Sequence, residues 1–220
     1  MKKTFLLALI TFGLASIQAG DKLEITITNI TKNQIFAPPV AISHNYAYHL
    51  FTLGEPSSME VYTMAEDGDA SGIYNAAMDD ENVLSVAAAD GPVMPGQSVT
   101  LEVDVDFRNT YLTVAGMLVD TNDGFFALDG HPIRISYYKG GTTAGKQGVM
   151  AYVYDAGSEA NTESCDHIPG PPCGNGGVRV TDGAEGYVYP HPGIHGMGDL
   201  SVKDFGWSGP AAKITISKMD

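Results

Sequence analysis

Two short runs constrain this chain more than anything else in it. Leu23-Glu24-Ile25-Thr26-Ile27-Thr28 and Val99-Thr100-Leu101-Glu102-Val103-Asp104-Val105-Asp106 alternate apolar and polar residues one for one. Successive side chains of a strand point to opposite faces, so each run buries one face and wets the other, a pattern that a helix would scatter around its axis. Residues 111–119, 133–138, 149–154 and 212–216 read as further strands. Residues 58–66 and 73–81 read as short helices on either side of an Asp67-Gly68-Asp69 turn. Strands at both chain ends and several between them predict an all-β fold, an antiparallel β-sandwich with short helices whose terminal strands meet in the core sheets. The 26 glycines and 12 prolines supply its turns. They concentrate in residues 155–210, which read as a long Gly/Pro-rich loop excursion before the last strand. No internal repeat or low-complexity linker divides the chain, so one domain is expected.

That domain is expected to begin at residue 20. Lys2 and Lys3 precede an apolar run over 4–15, and Ser16-Ile17-Gln18-Ala19 offers small residues for cleavage. This is the order of a secretory signal peptide, here 1–19. The run is shorter than the roughly 20 apolar residues of a membrane span, and no other stretch approaches that length. The mature chain is therefore expected to be secreted or periplasmic, without a transmembrane segment. Loss of Lys2 and Lys3 with the leader takes the formal net charge from −14 to −16. Twenty-six acidic against 12 basic residues exclude a nucleic-acid partner, whose phosphates need a basic face, and disfavour anionic membranes.

Export gives the two cysteines a meaning. Cys165 and Cys173 bracket Asp-His-Ile-Pro-Gly-Pro-Pro, and in an oxidising compartment two neighbouring cysteines are read first as a disulfide. The alternative, a metal site of both thiolates with His167, lacks a fourth ligand for zinc.

The acidic residues offer two places for a cation. Asp67-Gly68-Asp69-Ala70-Ser71-Gly72 opens like an EF-hand loop, but the twelfth position, where a bidentate Glu belongs, is Met78. It reads as an acidic turn. The second place is split between Thr121-Asn122-Asp123-Gly124 and Tyr154-Asp155-Ala156-Gly157-Ser158-Glu159, each following a strand. Carboxylates at strand ends can converge at one tip of a sandwich, although Asp in a Gly-containing turn ordinarily serves its own backbone.

The stretch from Met117 to Asp129, Met-Leu-Val-Asp-Thr-Asn-Asp-Gly-Phe-Phe-Ala-Leu-Asp, resembles a signature of the spondin N-terminal domain. Tyr154-Asp155-Ala156-Gly157-Ser158-Glu159 is similar to that family's second signature, an Asp-Ala-Gly-Thr-acidic run. The turns at Gly54-Glu55-Pro56 and Ala65-Glu66-Asp67-Gly68 fit as well, and the resemblance covers roughly 22–218. Cys165 to Cys173 and Gly193-Ile194-His195-Gly196 look like stand-alone bacterial members. The resemblance implies a β-sandwich holding one Ca2+ at its loop end, with Asp123, Asp155 and Glu159 as ligands. Glu159 departs from the animal pattern, which has Asp there. The animal domains are matrix and adhesion modules, which implies binding to an extracellular protein or glycan partner.

The histidines raise a competing expectation. His191 and His195 lie four apart, but the prolines and glycines around them forbid a regular helix. With His44, or with His167, they are candidates for a second metal site taking copper or zinc, against the plainer reading that they hydrogen-bond backbone in an irregular segment. His49 and His131 read as packing or surface residues. No nucleophile elbow, HExxH or phosphate-cradling loop is present, so the chain is not expected to be an enzyme. Three function classes remain: a calcium-stabilised binding module, a transition-metal protein of the periplasm, and a purely structural envelope or matrix component.

Overall fold

The computed structural model describes residues 21–138 and 141–219, and no side chain within 136–144. The expected signal peptide, 1–19, lies outside the described residues. The elements run β1 Asp21–Asn29, β2 Val40–His44, α1 Met59–Asp67, α2 Ser71–Asp79, β3 Val83–Ala88, β4 Ser98–Val105 and β5 Tyr111–Met117. They continue with β6 Gly124–Pro132, β7 Ile135–Tyr138, β8 Gly141–Ala144, β9 Gln147–Asp155, β10 Tyr189–Pro190, α3 Val202–Phe205 and β11 Ala212–Lys218. The all-β expectation with short helices holds.

The alternating runs form the layer that they predicted. β1 lies between β11 and β4, all antiparallel, with Ile25 opposite both Ile216 and Leu101, and Leu23 opposite Val103. These residues are buried, while the other face pairs hydroxyls: Thr26 with Thr100 at 3.1 Å and Thr28 with Ser98 at 2.8 Å. Cross-strand apolar pairs on one face are what fix the register, because a one-residue slip would expose the whole set.

The second layer is β3-β2-β5-β6, again antiparallel. It joins the first through β9, whose Gln147–Ala151 half pairs with β11 and whose Tyr152–Asp155 half pairs with β6. A single sheet is thus folded over into two layers, and its edges β3 and β4 come back into contact, nearly closing a barrel. The Ser43 hydroxyl donates to the Asp104 carbonyl at 2.5 Å across that seam.

Helices α1 and α2 cover the outside of the second layer, so β2 is buried on both faces. Ala41 belongs to the inter-layer core with Leu112, Val114 and Phe126, while Val40 and Ile42 pack with Val61, Met64 and Ile73 of the helices. Ser58 caps α1, accepting from the Val61 amide, and Gly68 ends it in the left-handed region at φ 71°. A Cβ at Gly68 would lie 2.7 Å from the Ala37 Cβ, so only glycine fits that corner.

The excursion between β9 and β11 carries only β10 and α3 as regular structure. It has a small core of its own, Ile168, Ile194 and Leu200, and the Cys165–Cys173 disulfide forms as expected. Buried Glu163 organises the segment. Its two carboxylate oxygens accept from the main-chain amides of His195 (2.5 Å) and Met197 (2.8 Å), satisfying donors that no ladder reaches.

Candidate metal centre

Strand pairing brings the two signature segments together. Thr121 locks the turn after β5: its hydroxyl donates to the Leu118 carbonyl at 2.7 Å and accepts from the Gly124 amide at 2.9 Å. That turn delivers Asp123 to the start of β6, where Gly124 pairs with Asp155 of β9 and the Ala156 amide donates to the Asp123 carbonyl. Asp123, Asp155 and Glu159 are all buried at this one end of the sheet.

Each carboxylate is held by a different set of donors. One oxygen of Asp123, Oδ2, accepts from the Ser158 amide (2.7 Å), the Ser158 hydroxyl (3.1 Å) and the Glu159 amide (3.0 Å). Its other oxygen, Oδ1, is buried with no hydrogen-bond partner among the described residues. Asp155 accepts from the Gly157 amide (2.8 Å) and from Asn161, whose amide group also donates to the Tyr189 hydroxyl. Tyr189 in turn donates to Glu185 at 2.9 Å. Glu159 is approached by the Asn122 side-chain amide at 3.5 Å. Gly157 (φ 70°) makes the turn, and a Cβ there would meet the Tyr187 carbonyl oxygen at 2.3 Å.

The electrostatics of the cluster are those of excess negative charge out of water. Burial pushes Glu159 up to about 7, helped by nearby Glu66 and eased by Asn122 and Arg179. Burial likewise takes Asp155 to about 6 against the pull of Asn161 and Gly157, and Glu185 adds to the rise. Asp123 stands well above the usual carboxylate range, first through burial and then through the charge of Asp155. Arg179 answers part of this charge, with Nε 2.6 Å from Glu66 Oε2 and a second bond to Asp67. A neighbouring acid escaped the sequence reading altogether: Asp120 is buried, neither of its oxygens has a hydrogen bond of good geometry, and burial takes it to about 7 against a pull from the Ile35 amide.

A buried acceptor without a donor and a set of carboxylates that resist ionising are what a hard cation would relieve. The donor set is all oxygen, which suits Ca2+ or Mg2+ rather than copper or zinc. Asp123, through Oδ1, with Asp155 and Glu159 would hold it. As the side chains stand, no group of three or more His, Cys, Asp or Glu among the described residues is placed so that it could hold a metal ion.

The three histidines expected to share a site are not brought together. His44, on β2, is opposite Tyr111, with Nδ1 donating to the Asn45 carbonyl and Nε2 bonded to the Thr113 hydroxyl at 2.9 Å. His191 packs beside Gly124, beyond the other end of β5. Six residues of strand, roughly 20 Å, separate these positions. His191 Nδ1 accepts from the Gly193 amide, and burial lowers its basicity to about 4, so the ring is neutral. His195 is used through its amide, and His167 sits beside Thr162 while both cysteines are committed to the disulfide. The Asp67–Gly72 segment is a turn: Asp69 accepts from the Ser71 amide and Asp67 pairs with Arg179. His49 reaches Asp129 at 3.2 Å.

Asn122, Asn161, Glu163, Glu185 and Tyr189 were missed as parts of this region. Their roles follow from loop geometry, and polar residues in a Gly-rich segment carry no spacing signal. The chain matches no protein-family model and no curated protein.

Proposed function

We propose that the chain is an exported, non-catalytic, calcium-binding module of the spondin N-terminal kind, which presents its loop end to an extracellular protein or glycan. The observation that carries this reading is Asp123 Oδ1, buried without a donor and close enough to Asp155 to feel its charge, with the Glu159 amide on the other oxygen and all three acids pushed toward neutrality. The disulfide is compatible with an oxidising compartment, and no helix among the described residues is long and apolar enough to cross a membrane.

The test is metal-linked stability. A cation bound only by the folded chain must raise its melting temperature. Chelation with EGTA should lower the melting temperature, Ca2+ should restore it, and Asp155→Asn should remove the response. An unchanged melting temperature in the wild-type chain sinks the reading. Elemental analysis of untagged protein separates the competing class: stoichiometric copper or zinc in place of calcium would replace this proposal with a transition-metal protein.

A further inference from the structure

Next to the acidic cluster, where β9 and β10 meet the return into β11, lies a cleft of about 510 Å³. Its volume falls within the roughly 300–1,000 Å³ of small-ligand sites. Tyr152 and Tyr154, two apart on β9 and so on one face of the sheet, line it together with Trp207, His191 and Ser208. The Tyr154 ring rests on Phe51 and Phe125, at centroid distances of 4.9 and 5.9 Å, and Trp207 packs against His191 at 5.1 Å.

Two features of the wall select a ligand. No charged side chain lines the cleft, in a chain with 26 acidic and 12 basic residues, so ionic ligands gain nothing there. Its polar groups are neutral hydroxyls and one imidazole, set beside flat aromatic faces. The imidazole tautomer is defined by Gly193, whose amide donates to Nδ1, which places the proton on Nε2. That N–H is buried behind the cleft wall and has no acceptor among the described residues, so the hydroxyls are the groups that a ligand meets first. Flat apolar faces flanked by uncharged hydrogen-bonding groups match the alternating C–H and O–H surfaces of a sugar ring.

We infer that this cleft binds a neutral oligosaccharide, which would be the ligand of the exported module proposed above and so rests on that reading. Trp207 is the only tryptophan in the chain, so its emission reports on the cleft directly. The experiment titrates calcium-loaded full-length protein with a panel of four neutral trisaccharides, of glucose, mannose, galactose and N-acetylglucosamine, and with a proline-rich decapeptide. A saturable change in emission is expected with at least one trisaccharide below about 10 mM, the weak end of specific binding. Tyr152 is 53% exposed, so Tyr152→Ala should keep the wild-type melting temperature while weakening that binding about tenfold or more. Silence from all four sugars, equal binding by the variant, or binding of the decapeptide alone overturns the assignment. The calcium-linked melting shift, measured on the same sample, keeps the two readings apart: a persisting shift without sugar binding overturns the cleft and leaves the metal site standing.

Discussion

The acidic cluster predicts an unusual response of stability to pH, and one that a cation cancels. Asp155 and Glu159 titrate near 6 and 7 in the folded chain, against 3.8 and 4.5 ordinarily. Between about pH 4 and pH 7 these two acids hold protons in the folded chain that the unfolded chain has released, so their contribution to stability falls as pH rises through that window; buried Asp120 adds to the fall, while neutral His191 opposes it up to about pH 6.5. The contribution is fully present below about pH 4 and lost above about pH 7. A tenfold difference in proton affinity between the folded and unfolded chain corresponds to about 1.4 kcal/mol. The buried acids influence one another and share the strain, so a combined loss of about 3 kcal/mol is the scale to expect, or roughly 6–12 °C in melting temperature for a domain of this size. Calorimetry of EGTA-treated protein should show this fall between pH 5 and pH 8. Saturating Ca2+ should cancel it, so the calcium-induced rise is larger at pH 8 than at pH 5. Asp123→Asn sharpens the test, because it removes a buried charge as well as a ligand. The variant should be more stable than wild type in EGTA at pH 8 and less stable in Ca2+. A calcium effect equal at both pH values, or a metal-depleted chain that gains stability toward pH 8, refutes the reasoning.

Three other perturbations probe the scaffold that holds this cluster. Gly157→Ala places a Cβ 2.3 Å from a main-chain oxygen at a positive φ, and should cost at least 1–3 kcal/mol and weaken calcium binding, read by melting and by titration calorimetry. Replacing both Cys165 and Cys173 with Ser should cost about 2.5 kcal/mol for so short a loop, with denaturant unfolding as the measure. Glu163→Ala removes the shared acceptor of two part-buried amides, which should cost about 1 kcal/mol for each bond lost and speed hydrogen exchange at His195 and Met197 ahead of the sheet.

The parts of the fold that were legible are those with one wet face. β1, β4, β9 and β11 alternate because solvent takes every second residue, and their expected positions agree with the structure to within a few residues. β2 was invisible for the opposite reason. Val40–His44 is buried throughout, between the helices and the inter-layer core; its apolar residues run consecutively and its two polar ones, Ser43 and His44, are adjacent, so no alternation marks its period. β6 was hidden by the same effect at Phe125 and Phe126, which lie in different cores although adjacent in sequence. The expected strand over 133–138 is present as β7 but begins at Ile135, and it pairs with β8 in a separate hairpin. Asp123, Asp155 and Glu159 were named by two motifs, and what the structure adds is that the pairing of β6 with β9 sets those two segments side by side. The expected trio His44, His191 and His195 failed because residue type says nothing about which end of a strand a loop returns to. Only the pairing of β2 with β5 separates His44 from the others.

The neighbouring end strands have a mechanical consequence. β1 and β11 are antiparallel, with Leu23 opposite Lys218, and Lys218 Nζ lies 3.1 Å from Asp21. Both strands start or finish level with Gln147, at the foot of β9, whereas the carboxylates gather at its head around Asp155. A tether at either end therefore grips the pole opposite the loops and points them outward, away from the anchor. Tension between the two ends would open β1 and β11 rung by rung, like a zip, rather than shear all their bonds at once. The paired ends therefore resist tension between them only weakly.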